Sequence, residues 1–368
     1  MTDAARAYLE LAGGGPLRAE AVLDEVGPDL TAERERTLGD KEGLELEQGR
    51  LLADVLGDPV AGAHLVDSML RPTPEALERL DDFRATGVAD LGAAHLRREG
   101  RAGVLELRNP RHLNAEDDAT LPATEAAVDL VLLDPQIAVG VFRGGVVEHP
   151  RYAGRRIFGA GINLTHLYRG LISFLFYVVR DLGYVNKIYR GHAAPEFRPG
   201  PIEETTEKLW LCAAETYAIG GACQLLHVMD HVIAARGCRL FLPARKEGII
   251  PGASPLRLPR SVGDRLARQA ILSGREFEAG VPPAELLCDE VVEPDQVDEA
   301  IAARVEALTS SGLINAAANR RALRVGEEPL DTFRRYMATF SREQVHCHLS
   351  PALVSNLEEH WNAQQRKL

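Results

Sequence analysis

Residues 208–235, KLWLCAAETYAIGGACQLLHVMDHVIAA, carry the clearest architectural signal in the chain. The apolar run from Leu209 to Ala214 predicts a buried strand, and the Gly-Gly pair that follows marks a tight turn. A short apolar run at helical spacing comes next, and HVIAA predicts a second strand. This order predicts parallel strands joined by helices. Gln224, an amide, stands three residues after the second glycine, where proton-transfer chemistry would ordinarily use an acid.

The flanking segments repeat this alternation. GVLELRN from Gly103 predicts a strand, LPATEAAVDLVLLD a helix, IAVGVFRGG a strand, and CRLFLPARKEGIIPG a strand followed by a loop. GHAAPEFRPGPIEETTEK, rich in proline and charge, predicts a loop. Residues 31 to about 101 have apolar residues at helical spacing, and the chain after Ser261 is largely helical in pattern. We predict an α/β protein with a helical N-terminal domain (1–101), a core (102–280) and a helical, oligomer-forming C-terminal region (281–368).

Composition excludes several classes of protein. The 368 residues are 45% hydrophobic, enough for a large core, and the net charge of −12 without a long basic block disfavours nucleic-acid binding. Five cysteines without CxxC spacing predict reduced thiols rather than disulfides or a zinc site. The longest apolar stretch, LISFLFYVV, is less than half the ~20 residues that a membrane span needs. No signal pattern opens the chain, so we expect a cytoplasmic protein without membrane contact.

Four blocks of sequence resemble the crotonase (enoyl-CoA hydratase/isomerase) superfamily over roughly residues 103–300. They are NPRHLNA (109–115), FGAGINL (158–164), AIGGACQLLHVMDHVIAA (218–235) and EGIIPGASPLRLPRSVG (247–263), followed by AILSGREFEA. The resemblance implies a ββα spiral core, an acyl-CoA substrate, and assembly into trimers or hexamers. It also implies two backbone N–H donors to the thioester oxygen, at Ile162 and Gly221. Such donors stabilise negative charge that develops on the oxygen during reaction.

Two departures from that superfamily concern proton transfer. Enoyl-CoA hydratases use two glutamates that share a water, and the resemblance places these positions at Gln224 and at Ala244, next to Pro243. An amide and a methyl group cannot exchange the protons that hydration requires. Hydratase activity is therefore not expected.

The chain further resembles a branch of cofactor-free oxygenases within the superfamily, which act in the biosynthesis of vancomycin-type glycopeptide antibiotics. LNAEDD (113–118), GINL, RDLGYVNKIYRG (180–191) and ETYAIGGACQ carry this resemblance, together with the helical N-terminal part. It implies that an arylacetyl-CoA reacts with O2, without metal or flavin, to give an arylglyoxylate and CoA. It also implies that Glu116 and Arg180 contact hydroxyl groups of the aryl ring, and Glu116 is in addition a candidate base.

The expected chemistry assigns roles to the remaining positions. Gln224 would hydrogen-bond a substrate hydroxyl without donating a proton, and Ala244 would leave apolar room for O2 beside Ile249 and Ile250. Because protonation would quench the carbanion, we expect no acid near it. Arg155 and Arg156, upstream of the first oxyanion loop, are candidates for binding the CoA phosphates, although a solvated basic pair is equally compatible.

Three competing hypotheses stay open. In the first, His227, Asp230 and His231 have the i, i+3, i+4 spacing of a metal-binding helix face, and two histidines with one carboxylate bind non-haem iron. The helix is expected to run into a strand at this point, which disfavours a shared metal. The second hypothesis is an acyl-CoA thioesterase or isomerase with Glu116 as its only base. The third is a non-catalytic acyl-CoA-binding subunit.

Overall fold

The computed structural model describes residues 1–194, 205–310 and 312–366. Its N-terminal part is helical. The helices are α1 (Asp3–Ala12), α2 (Ala19–Val26), α3 (Glu45–Gly57), α4 (Pro59–Met69) and α5 (Pro74–Thr86). Side chains of Thr2, Asp58 and Thr73 cap the N-termini of α1, α4 and α5 by accepting hydrogen bonds from backbone N–H groups.

The strands that follow build three sheets. They are β1 (Val88–Asp90), β2 (Ala94–Glu99), β3 (Ala102–Leu107), β4 (Val139–Gly144), β5 (His192–Ala193), β6 (Thr205–Thr206), β7 (Leu209–Ala214), β8 (Tyr217–Ile219), β9 (His231–Ala235), β10 (Arg239–Phe241), β11 (Phe277–Glu278) and β12 (Glu290–Val292). In the described part of the chain, the main sheet has the order β1-β2-β3-β4-β7-β9-β12. Every pair from β3 to β12 is parallel, whereas β1 and β2 are antiparallel to each other and β2 to β3.

The helices of the core and the C-terminal region complete the fold. They are α6 (Thr120–Leu133), α7 (Leu164–Tyr168), α8 (Phe174–Leu182), α9 (Tyr184–Arg190), α10 (Gly221–Leu225), α11 (Ala244–Glu247), α12 (Ser254–Ser273), α13 (Val297–Thr309), α14 (Leu313–Glu327), α15 (Leu330–His348) and α16 (Pro351–Trp361). The predicted strands β3, β4, β7 and β9 and the predicted helix α6 are confirmed. The C-terminal part is largely helical as predicted, but β12 adds an edge strand to the main sheet.

The helical prediction for residues up to 101 is wrong after Thr86. Gly87, in the left-handed region at φ 73°, ends α5, and β1 and β2 follow. In β2 the buried residues Ala94 and Leu96 alternate with a half-buried neighbour, which is the two-residue period of a strand. Residues 88–99 therefore belong to the main sheet. The predicted loop at 191–208 forms the short β5–β6 pair, and its residues 195–204 lie outside the described residues.

The N-terminal and C-terminal helices pack against each other. α15 lies along α3, so closely that a Cβ at Gly49 would collide with Val345. The two helical regions thus share one interior with the core. All five cysteines are free thiols, as predicted. Within the described residues, no helix has the length and apolar content needed to cross a membrane.

Candidate active site

Two glycine-bearing loops meet beside β8. Gly161 has φ 80° and Gly220 has φ 53°, conformations that favour glycine. A Cβ added to Gly161 would lie 3.2 Å from the backbone nitrogen of Gly221, the first residue of α10. Among the described residues, the backbone N–H groups of Ile162 and Gly221 donate to no protein acceptor. Both residues line one cavity, so the structure brings the two predicted oxyanion donors to the same space.

That cavity is narrow, with a volume of about 30 Å³ open to a water-sized molecule. Its lining includes every predicted site residue except Arg155, Arg156 and Ala244, so the space predicted for O2 is bounded by Ile249 and Ile250 without Ala244. The predicted residues that line it are Glu116, Ile162, Arg180, Gly221, Gln224, Ile249 and Ile250. The loop after Glu116 and the first oxyanion loop are held together by backbone bonds, from Glu116 N to Gly161 O and from Asn163 N to Glu116 O.

Arg180, on the last turn of α8, organises one wall of this cavity. Its Nε donates to Glu116 Oε1 at 2.8 Å, one terminal nitrogen donates to Gln224 Oε1 at 2.9 Å, and the other donates to the carbonyl of Gly221 at 2.8 Å. Burial alone would lower the pKa of this guanidinium, but Glu116 and its other acidic neighbours raise it. Arg180 is 4% exposed and Asp181 is 2% exposed, so the two residues do not form a surface pair.

The contact with Arg180 fixes the orientation of Gln224. A guanidinium has only donors, so the amide oxygen must face Arg180, and the amide NH2 is the group left for a ligand. The neighbouring Gly252 has φ 46°, and a Cβ there would collide with the Gln224 oxygen and lie 2.6 Å from Asp181 Oδ2. The glycine of the IIPG loop is thus required by the close approach of these two side chains.

Glu116 is buried, and its Oε1 accepts hydrogen bonds from Arg180 and from the hydroxyl of Tyr184. Its other oxygen, Oε2, lies so close to Gly221 that a Cβ at that glycine would collide with it. Burial raises the pKa of the Tyr184 phenol well above its usual value, which keeps it a donor. One oxygen of the Glu116 carboxylate is therefore already occupied by two donors.

Glu247 is a cavity residue that the sequence pattern did not predict. It ends the short helix α11, one turn after Ala244, and its side chain lines the cavity. Within the described residues its carboxyl group has no hydrogen bond or ion pair, and burial raises its pKa to about 7. The prediction that no acid lies near the carbanion is therefore wrong. Position 244 itself carries no acid, but the helical turn places the residue three positions later in the cavity wall.

Arg155 and Arg156 lie outside this cavity. They line a separate cleft, in which Arg155 is exposed. Arg156 donates to the carboxylate of Glu106 and, at 3.1 Å, to the carbonyl of Gly144. Glu106 thus already neutralises one member of the predicted phosphate-binding pair.

The hypothetical metal site does not assemble. Burial lowers the pKa of His227 to about 3, and both of its ring nitrogens lack a hydrogen-bond partner in the described region. Asp230 instead accepts from the backbone nitrogen of Trp210 and pairs with Arg320, while His231 faces Glu290. Among the residues that the structure describes, no three His, Cys, Asp or Glu side chains are placed to share a metal ion.

Two free backbone N–H donors over a buried cavity form the arrangement by which a class of enzymes stabilises an oxyanion that develops on a bound ligand. The family model described as enoyl-CoA hydratase/isomerase matches residues 204–340. The chain is 49% identical to "(3,5-dihydroxyphenyl)acetyl-CoA 1,2-dioxygenase" of Amycolatopsis orientalis over 317 residues, which is 86% of this chain and 71% of that protein. It therefore belongs to the enoyl-CoA hydratase/isomerase (crotonase) family, as its four sequence blocks predicted.

More distant relatives agree with this assignment. A probable enoyl-CoA hydratase of Rhizobium meliloti is 27% identical over 216 residues, which is 58% of this chain and 74% of that protein. The crystal structure of an enoyl-CoA hydratase/isomerase from Xanthobacter autotrophicus Py2 superposes with a TM-score of 0.60 at 18% identity. That comparison covers 74% of this chain and 95% of the other, and it confirms the crotonase-like fold.

Proposed function

We propose that this enzyme converts 3,5-dihydroxyphenylacetyl-CoA and O2 to 3,5-dihydroxyphenylglyoxylate and CoA without a cofactor. The observation that carries the proposal is the 49% identity, across 86% of the chain, to the Amycolatopsis enzyme named for this substrate. The residues at the two hydratase acid positions, Gln224 and Ala244, support it because neither can activate a water for addition to a double bond.

The first chemical step is formation of an enolate. The backbone N–H groups of Ile162 and Gly221 receive the thioester oxygen and stabilise the negative charge that develops on it. This lowers the free energy of the carbanion at the neighbouring α-carbon. An electron-rich carbanion of this kind can transfer an electron to O2 directly, so the reaction as proposed needs no resident metal or flavin.

The later steps conserve all atoms. The α-carbon and O2 form a C–O bond, and the resulting peroxide anion attacks the thioester carbonyl and expels CoA as its thiolate. The four-membered ring then loses the second α-proton as its O–O bond breaks, which yields the keto acid with both atoms of O2. The products are one arylglyoxylate and one CoA for each O2 consumed.

The wall around Arg180 provides ring specificity. Glu116 and Arg180 are buried and Gln224 is half-buried, and two phenolic hydroxyls can contact the polar groups of all three. A ring without hydroxyls would leave Glu116 Oε2 and the Gln224 NH2 group without the partners that the hydroxyls supply, at a cost of about 1–3 kcal/mol for each lost partner. Ile249 and Ile250 form an apolar part of the same cavity, where we place O2.

We also propose that the enzyme forms a homotrimer or hexamer in the cytoplasm, in which the region 281–368 contributes subunit contacts. Arg155 and Arg156 remain the proposed contacts for the CoA phosphates, with Arg156 giving up part of its pairing with Glu106. We also propose a role in glycopeptide antibiotic biosynthesis, which the sequence resemblance implies.

The decisive experiment incubates the metal-stripped protein with 3,5-dihydroxyphenylacetyl-CoA under 18O2. We expect O2 uptake equal to CoA release, and a keto acid that carries two labelled oxygens. Phenylacetyl-CoA serves as the matched control substrate and should react far more slowly. CoA release at the same rate under argon would contradict the proposal and favour a thioesterase, and no reaction in either gas would favour a binding protein.

A further inference from the structure

We propose that the Glu247 carboxylate is the base that removes the α-proton of the thioester, an assignment that rests on the proposed function. In this step the C–H bond breaks and its electron pair forms the C=C bond of the enolate. The proton moves to a carboxylate oxygen of Glu247, and the thioester oxygen takes the negative charge beside the N–H groups of Ile162 and Gly221. No further reactant is needed.

The position of Glu247 fits this role. A Cβ on Gly220, the residue before the oxyanion donor Gly221, would lie 4.0 Å from Glu247 Oε1. The carboxyl group thus sits beside the site of the thioester carbonyl, and the α-carbon is one bond from that carbonyl. Tyr177, on α8, also lines the cavity, and the charge of Glu247 adds to burial in raising the pKa of its phenol. The carboxylate therefore faces into the cavity rather than towards solvent.

The other carboxylates of the cavity are less suited to accept a proton. Glu116 Oε1 already accepts hydrogen bonds from Arg180 and Tyr184. Asp181 lies 3.6 Å from a terminal nitrogen of Arg180, and that charge opposes the rise in its pKa caused by burial. Glu247 has neither a cationic partner nor a hydrogen bond within the described residues, so nothing there offsets the cost of burying its charge. Burial brings its pKa to about 7, which is near the optimum for a base working at neutral pH.

Exchange of the α-proton with solvent can be measured without O2, so it tests proton removal independently of the oxygenation. Each protein is incubated in D2O without oxygen with 3,5-dihydroxyphenylacetyl-CoA, and α-deuterium is measured against an enzyme-free blank. We expect Glu247→Gln to lower the exchange rate and the aerobic kcat together by about 100-fold or more, the usual contribution of a general base, with little change in KM. Glu116→Gln is expected to act mainly through KM, because it removes a contact to the ring.

Two further variants keep the test decisive. Glu247→Asp retains a carboxylate on a shorter side chain and should recover part of the lost exchange, whereas loss of folding would be visible as a lowered melting temperature in both Glu247 variants. Exchange at the wild-type rate in Glu247→Gln, or its loss in Asp181→Asn alone, would overturn the assignment. If the wild-type protein exchanges the α-proton but consumes no O2 in air, the proposed oxygenation is refuted, whereas the assignment of Glu247 as the base is not.

Discussion

Replacing Glu247 by glutamine should stabilise the protein in alkaline solution and have far less effect in acid. Burial raises the pKa of this carboxyl from 4.5 to about 7, so the folded chain holds the proton more tightly than the unfolded chain does. Stability is therefore lost as the pH rises from 4.5, and the full penalty is present above about 7. At about 1.4 kcal/mol for each pH unit between the two pKa values, the penalty is about 3 kcal/mol. Glutamine has a similar shape and carries no charge to desolvate.

The assay compares unfolding of the two proteins at pH 4.5 and at pH 8.5. The stability of Glu247→Gln relative to the wild type should increase by about 3 kcal/mol between these values, which for 368 residues is a melting-temperature difference of about 4 °C. Comparing the two pH values cancels any pH-independent effect of the amide. Glu359→Gln, an exposed carboxylate on α16, is the matched control and should show almost no such change. An equal difference at both pH values would show that the Glu247 carboxyl is solvated and would remove the basis for its raised pKa.

Three further substitutions test the rest of the site by steady-state kinetics. In Arg180→Lys, the lysine ammonium group cannot contact Glu116, Gln224 and the Gly221 carbonyl at the same time. The kcat/KM for the dihydroxylated substrate should therefore fall by about 100-fold, and the preference for a hydroxylated ring should decrease. Gln224→Glu removes the amide NH2 that is left for the substrate and adds a group that can exchange protons, so oxygenation should fall and α-proton exchange should rise; unchanged values of both would contradict this role. Arg155→Ala should raise the KM for the acyl-CoA several-fold without changing kcat, and an unchanged KM would remove Arg155 from the CoA site.

Much of the fold was predictable because local patterns agree with long-range pairing. The apolar runs of β3, β4, β7 and β9 are flanked by turn residues, and α6 has an apolar pattern that fits only a buried helix. Residues 88–99 were not predictable in this way because their alanine, leucine and arginine content suits either structure. Their strand conformation depends on the pairing of β1 with β2 and of β2 with β3, and the local spacing of apolar residues does not indicate these contacts.

Some residues of the candidate site could likewise be predicted from the sequence, and others could not. Ile162, Gly221 and Gln224 could be found because the resemblance to the crotonase superfamily implies their positions, and the positive φ angles of Gly161 and Gly220 give a physical reason for the glycines beside them. The pairing of Arg156 with Glu106 could not, since it depends on which strand lies beside the loop. Glu247 could not be predicted because its significance lies in burial without a partner. That property is created by the tertiary structure, and the sequence shows only one glutamate in a charged turn.

The presence of Glu247 changes the physical reason for an amide at position 224. A base that removes the α-proton becomes an acid beside the same carbanion, so the site cannot work by excluding acids. Return of the proton only regenerates the thioester, whereas C–O bond formation followed by loss of CoA and O–O cleavage is irreversible, so repeated return does not divert the substrate. Hydration, by contrast, adds water across the C=C bond of an enoyl thioester, and it needs two groups that hold and activate a water. Gln224, tied through its oxygen to Arg180, and Ala244 supply neither group. The amide thus excludes water activation, and the chain keeps one carboxylate, Glu247, for the single proton transfer that the enolate requires.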